Sequence, residues 1–463
     1  MITKALEKLF DTLISLKMAV FIIVAIGIVS AVGTVYESKY DAHYAQTFIY
    51  HSIVMYFLLG LLCTTLICVM IDRWPWKRHH SAFVLAHIGI IILILGSVVT
   101  RYFGIDGTMY FPLGETRRYV DLQGSAIGVY VQSPEGRFSQ YDYKIADFLQ
   151  NPPSEEDKYT ISLDGGKKIE FLKYFHYSER MTRVAESDSR AAGPAIRVQF
   201  ESSRINMADW VILSQAKPWE SINLGPAKLV LTQDIFKYEG GNAIVFRPIE
   251  DNMLEYMVFS DSKGGLAKKG KAAVGDVVQT GWMDIKVRIL RFMPKAEKIV
   301  WFEEKQYPNK ITVPAVQFKF DGEEYWMQKN STVKLFTNQA SYVVSFENIR
   351  YDVGFPMKLK EFRIGHYQGT QNPMSYESDV VVNGKVYNIS MNEPFKHNGF
   401  TFYQSSFEKD EEGKPVASIL SVNKDPGRWI KYLGSFLIVF GAILLMYFKK
   451  TLAKPRKARK VAV

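Results

Sequence analysis

Cysteine is nearly absent from this chain: the 463 residues include only two, Cys63 and Cys68. Both fall in one apolar run, and five positions on a helix separate them by roughly 140°, so they cannot pair with each other. The long middle of the chain, Arg101 to Arg428, therefore has no disulfide and no thiol for redox chemistry. Its own apolar core must hold it, which its length permits. Common catalytic signatures are missing too. There is no HExxH or CxxC, Ser214, Ser405 and Ser406 lack a nucleophile-elbow context, and no glycine-rich stretch joins a strand to a helix in the way that cradles phosphate.

Charge is scarce in four segments: Met18 to Val35, Ile53 to Ile71, Ala82 to Thr100 and Trp429 to Phe448. Each approaches the ~20 apolar residues that a helix needs to cross about 30 Å of hydrocarbon. The first segment also fits a signal peptide, with Ala31-Val32-Gly33 as a small-x-small cleavage site after a basic start. Its apolar run is longer than a usual signal core. Gly27, Ser30, Ala31 and Thr34 are spaced as small residues that let membrane helices pack, which favours a retained span. Ahead of it, Leu6, Leu9, Phe10, Leu13 and Ile14 form an apolar stripe at helical spacing, the pattern of a helix lying in the membrane interface.

The net charge of +10 does not point to nucleic acid. Seven basic residues, Lys449, Lys450, Lys454, Arg456, Lys457, Arg459 and Lys460, crowd the last fifteen positions, and Arg101 to Phe448 nets only about +1. That tail, with Arg73, Lys77 and Arg78 between the second and third spans, carries the positive-inside signal. Trp74 and Trp76 on one side, and Tyr102, Trp429 and Tyr432 on the other, sit where interfacial aromatics prefer to lie. These signals predict a multi-pass protein of the bacterial plasma (inner) membrane, with both termini cytoplasmic and the large domain on the periplasmic or outer face.

Within that domain apolar residues alternate, and the punctuation is that of hairpins. Three units stand out: Tyr159 to Leu163 and Lys168 to Leu172 around Asp164-Gly165-Gly166, Val316 to Phe320 and Glu324 to Met327 around Asp321-Gly322, and Val380 to Val382 and Val386 to Ile389 around Asn383-Gly384. The expected organisation is an interfacial helix over 1–17, three transmembrane helices within 18–100 (18–35, 53–71 and 82–100), an all-β extracytoplasmic domain of two sandwich-like lobes over 101–428, a fourth transmembrane helix over 429–448, and a basic cytoplasmic tail over 449–463. Ser187 to Ala195 and Ser260 to Gly270 read as long exposed loops. His176, His366 and His397 stand singly among aromatic strands and read as structural residues.

His87 is the one strongly ionisable side chain placed well inside any of the four spans. An imidazole in hydrocarbon needs a partner or a purpose. Neutral imidazole ligates haem iron, and the Ile and Leu around it suit an apolar macrocycle; equally, it serves as a hydrogen-bonding link to a neighbouring helix. Gly89, Leu93, Gly96 and Thr100 form a small-residue ridge roughly opposite His87, so one face is expected to pack while the other presents the imidazole. His79 and His80 at one membrane edge, and His43 and His51 near the other, flank a ligand path or are solvated interface residues. Cys63 and Cys68 read as small packing residues.

The order of three spans, a large outer domain and one span resembles the ResB/CcsB family of cytochrome c biogenesis proteins. Local patterns agree: Gly33-Thr34-Val35-Tyr36, Leu85-Ala86-His87-Ile88-Gly89, Gly104-Ile105-Asp106-Gly107, Asn392-Glu393-Pro394-Phe395, Gly399 to Ser406, and Asp425-Pro426-Gly427. The resemblance implies a subunit of the system II maturation complex, which exports haem b and attaches it to CxxCH sites of apocytochromes c. It implies a CcsA/ResC-type multi-span, tryptophan-rich partner and a thioredoxin-like thiol-reducing protein. It also implies that His87 is an axial ligand to haem iron, the second histidine coming from the partner. The tryptophans here are dispersed, so this chain is at most half of a cytochrome c synthase and not an enzyme alone. A rival reading is a membrane-anchored assembly scaffold that binds no haem. A receptor is disfavoured because the inside segments are too short for an output domain. Tyr177 to Val300 matches no motif of the family.

Overall fold

The computed structural model describes residues 2–447 apart from 134, 190–191, 204–205, 215–216, 225–226, 235–237, 239, 250–252, 283, 339, 370–372 and 411–412. The basic tail expected over 449–463 lies outside the described residues.

Helix α1 (Ile2–Leu13) is amphipathic and leaves Leu6 and Leu9 exposed. Ser15 breaks it from α2 (Leu16–Lys39), whose N-terminus the Ser15 hydroxyl caps by accepting from the Met18 N–H. A short turn, α3 (Ala42–Ala45), leads to α4 (Ile53–Asp72), capped by Ser52 in the same way. Then come α5 (Ser81–Phe103) and, after the β region, α6 (Arg428–Tyr447). The four helices α2, α4, α5 and α6 are each long and apolar enough to cross a membrane. Much of their apolar surface is exposed, as on Phe21, Ile23, Phe57 and Phe436, which suits lipid as the solvent.

Between α5 and α6 the chain is built largely of antiparallel strands, as expected, with Ala227–Thr232 and Ala243–Pro248 paired in parallel. It divides into two compact units: residues 1–177 with 306–463, and an inserted unit Ser178–Lys305. The stretch without family motifs, Tyr177 to Val300, nearly coincides with the insertion. In the inserted unit, a five-stranded sheet (219–272) shares one core with the Gly193–Glu201, Asn206–Ile212 and Lys286–Glu304 strands, built on Val198, Leu229, Phe246 and Val287. In the other unit, a ten-stranded sheet contains two unusually long strands, Thr116–Gln132 and Ser341–His366. Their pairing shifts register between Glu347 and Ile349 and again between Asp352 and Met357, and Tyr342 to Phe346 serve a different core from Val353 to Leu359. One core is built on Ile127, Phe171, Phe318 and Phe346, the other on Phe111, Met357, Val380 and Phe402.

All three expected hairpins form, with the strand pairs in antiparallel register. Asp321 and Gly322 have φ of 50° and 90°, and Asn383 and Gly384 have 50° and 76°, the positive values that two-residue turns require. Ser260 to Gly270 departs from expectation. Instead of a long loop, a short helical turn at Asp261–Lys263 joins Leu254–Ser260 to Gly265–Ala272 in a hairpin. Two physical features explain it: Gly264 supplies φ of 65°, and Lys269 pairs with Glu255 at 2.8 Å across the strands. The expected loop from Ser187 is likewise shortened by the strand that begins at Gly193, while residues 190–191 lie outside the described set.

Candidate functional site

His87 lies in the first half of α5, half-buried. Its Nδ1 stands 2.8 Å from the Phe83 carbonyl oxygen one turn earlier. A carbonyl only accepts, so Nδ1 carries the proton in the neutral ring and the Nε2 lone pair is left for another partner. The Phe83 ring packs on the imidazole with centroids 3.8 Å apart, and the Arg73 guanidinium stacks over Phe83 at 3.7 Å. Phe83 therefore contacts both Arg73, at the end of α4, and His87, in the first half of α5.

The small-residue ridge packs as expected. A Cβ on Gly89 would lie 2.8 Å from the Gly434 carbonyl oxygen, one on Gly96 would lie 2.8 Å from the Lys431 nitrogen, and one on Gly441 would meet Ala86. So α6 occupies the glycine face of α5 with backbones in contact. Above this pair, Asp425 accepts from the Thr100 hydroxyl at 2.6 Å and pairs with Lys431 at 2.8 Å. Burial works against the Asp425 charge, but Lys431 and Thr100 outweigh it and hold the carboxyl below its usual range.

The remaining histidines divide. His79 and His80 pack ring to ring at 4.0 Å, and His397 meets Phe355 edge-on and stacks with Phe395 as a structural residue. His366 is exposed on its strand. His43 and His176, 133 positions apart in sequence, meet with ring centroids 6.3 Å apart. The organiser of this cluster is Asp41, which sequence reasoning passed over. Its carboxylate accepts from the Tyr44 N–H at 2.7 Å, the Tyr177 hydroxyl at 2.7 Å and His176 Nε2 at 3.1 Å. With Nε2–H directed at a carboxylate, His176 Nδ1 accepts from the Tyr174 hydroxyl at 2.7 Å, so both ring nitrogens are engaged.

Burial alone would raise the Asp41 pKa, but the hydrogen bonds from His176 and Tyr177 prevail and keep it far below the ordinary carboxylate value. Burial, then Asp41, pushes the Tyr174 and Tyr177 hydroxyls up, so both stay protonated donors. Burial likewise lowers the His43 pKa, which Asp41 opposes. Beside the cluster stacks an aromatic column, with Tyr40 and Tyr44 centroids at 4.5 Å, Tyr44 and Phe48 at 4.6 Å, and Tyr307 against Tyr40 at 5.4 Å. Its signal was legible as Tyr36, Tyr40, Tyr44 and Phe48 at intervals of four.

Two cavities of about 390 and 250 Å³ share His43, His176 and Lys329 in their walls. Asp106, Thr108 and Asp121 make the larger one polar, a poor match for an apolar macrocycle. His176 has no nitrogen left to ligate. Among the described residues no group of three or more His, Cys, Asp or Glu is arranged to hold a metal ion. His87, by contrast with His176, has only Nδ1 engaged among the described residues, by the Phe83 carbonyl.

Residues 316–418 match the model of the ResB-like family. That segment of the chain is similar to the ResB-like family. Part of the chain is also 35% identical over 95 residues to Protein NrfI of Wolinella succinogenes, covering 19% of this chain and 10% of that protein. The ResB-like match begins in the Val313–Phe320 strand and ends in the Pro415–Lys424 strand, taking in the Asn383-Gly384 hairpin and the residues around Phe402. The matched segment lies wholly within the β region, between helices that are long and apolar enough to cross a membrane.

Proposed function

We propose that this chain is a subunit of a system II cytochrome c maturation complex, in which it helps move haem b across the membrane and present it to CxxCH motifs of apocytochromes c. The observation that carries the reading is the state of His87: Nδ1 is committed to the Phe83 carbonyl, and Nε2 is left for iron. Haem is the cargo, held jointly with a CcsA/ResC-type multi-span partner that contributes the second axial histidine. The chain is oriented with Arg73, Lys77 and Arg78 on the cytoplasmic side and the β units on the periplasmic side, following the positive-inside rule. Thioether formation needs two cysteine thiols beside the haem vinyl groups. The contribution of this chain is proximity and orientation, with a thioredoxin-like protein keeping the apocytochrome thiols reduced.

The test is His87→Ala in the chain co-expressed with its multi-span partner, followed by absorption spectra of the purified complex and holocytochrome yield. Loss of both bound haem and product is expected. Unchanged values of both would reject the ligand role. A second reading, a membrane-anchored scaffold that binds no haem, draws support from the family match lying in the β region rather than the helices. A complex whose Soret band survives His87→Ala, while deletion of the β region abolishes assembly with the partner, favours that reading.

A further inference from the structure

The Phe83 ring that meets His87 also meets a cation. Arg73 caps α4 and is exposed, and its guanidinium lies 3.7 Å from the Phe83 ring centroid, while the His87 ring centroid lies 3.8 Å from the same ring. Among the described residues no carboxylate pairs with it, although Asp72 is adjacent in sequence. A guanidinium over an aromatic face is not neutralised by it, and its N–H groups form a fork that matches a carboxylate or phosphate bidentately. It stands at a membrane edge, where a charged substituent of an otherwise apolar ligand must remain if the ligand body enters hydrocarbon.

We propose that Arg73 is an anion anchor for the ligand of His87, binding a propionate carboxylate of the porphyrin and so setting which edge of the macrocycle faces the Arg73 end of the membrane. Phe83 is the positioning residue that holds guanidinium and imidazole at a fixed separation. This rests on the reading of His87 as a haem ligand and adds a second point of attachment. One imidazole–iron bond leaves the macrocycle free to rotate about it, whereas a carboxylate clamp removes that freedom. A lipid phosphate is the other anion that this fork accepts, and the experiment separates the two.

Full-length wild type, Arg73→Gln, Arg73→Lys and His87→Ala are co-expressed with the multi-span partner, purified in lipid nanodiscs and stripped of haem. Each is then titrated with haemin and with haemin dimethyl ester, whose propionates carry no charge. Arg73→Gln is expected to weaken haemin binding about tenfold, the size of one charge-assisted hydrogen bond. The Soret position should stay unchanged because the axial ligand is intact, and Arg73→Lys should recover part of the affinity. The diester should bind wild type and Arg73→Gln equally. Equal haemin affinity in wild type and Arg73→Gln, or equal weakening for both porphyrins as a lipid contact would give, overturns the proposal. His87→Ala reports separately: unchanged haemin binding and spectrum there sink the axial-ligand reading, whatever the Arg73 variants do.

Discussion

Gly89 of α5 and Gly434 of α6 face each other so closely that a Cβ on Gly89 would stand 2.8 Å from the Gly434 carbonyl oxygen. In lipid no hydrophobic driving force pulls two apolar helices together, so close packing of backbones supplies the association. The contact fixes which side of α5 is occupied by its own chain.

Gly434→Val should therefore separate α5 from α6 and cost roughly 1–3 kcal/mol, the usual range for overpacking. Cysteine crosslinking between introduced pairs on the two helices measures it. Full retention of crosslinking efficiency would show that the glycine contact is dispensable.

The Asp41 cluster should respond to acid with a defined sign. Its carboxyl is depressed in the folded protein, so its contribution is present above the ordinary value of 3.8 and is lost as pH falls below it towards the folded value. Asp41→Asn removes the charge at all pH values. Because the side chain is 37% exposed, solvent screening reduces the neutral-pH loss to about 1 kcal/mol. Thermal melts from pH 6 to pH 2 should show a steeper decline for wild type than for the variant. Parallel curves would refute the assignment.

Asp425 ties the last strand to α5 and α6 through Thr100 and Lys431, and its side chain is only 12% exposed. Asp425→Ala leaves the Lys431 ammonium without its partner near the hydrocarbon. A loss of about 3 kcal/mol is expected. Denaturation of the detergent-solubilised protein, followed by tryptophan fluorescence, measures it, and the double variant with Lys431→Met should recover part of the loss.

The Asn383-Gly384 turn offers a check on the β region. Gly384 has φ of 76°, so Gly384→Val should cost roughly 1–2 kcal/mol from backbone strain alone. Urea midpoints of the two proteins give the value. An unchanged midpoint would mean that the turn relaxes to another type.

How much of this was legible differs from element to element. The spans were, because charge and apolarity along a single segment decide whether it can sit in hydrocarbon: α4 was expected at 53–71 and runs Ile53–Asp72. The hairpins were, because Asp-Gly and Asn-Gly specify positive φ without reference to the rest of the chain. The glycine ridge on α5 could be recognised as a packing face, but nothing in its own segment names α6 as the helix that fills it. Ser260 to Gly270 misled because its lysines and glycines resemble loop composition, while cross-strand pairing with Glu255 makes it a strand.

By itself, then, the sequence determined the helical anchor, the β character of the outer region, the turns and the singular placement of His87, all of which follow from local chemistry and periodicity. Only the tertiary structure decided that Asp41 gathers Tyr177 and His176, and that Arg73 lies over the Phe83 ring that meets His87. The Asp41 contacts join segments far apart in the chain, and the approach of Arg73 to Phe83 depends on the turn between α4 and α5, which no local propensity encodes.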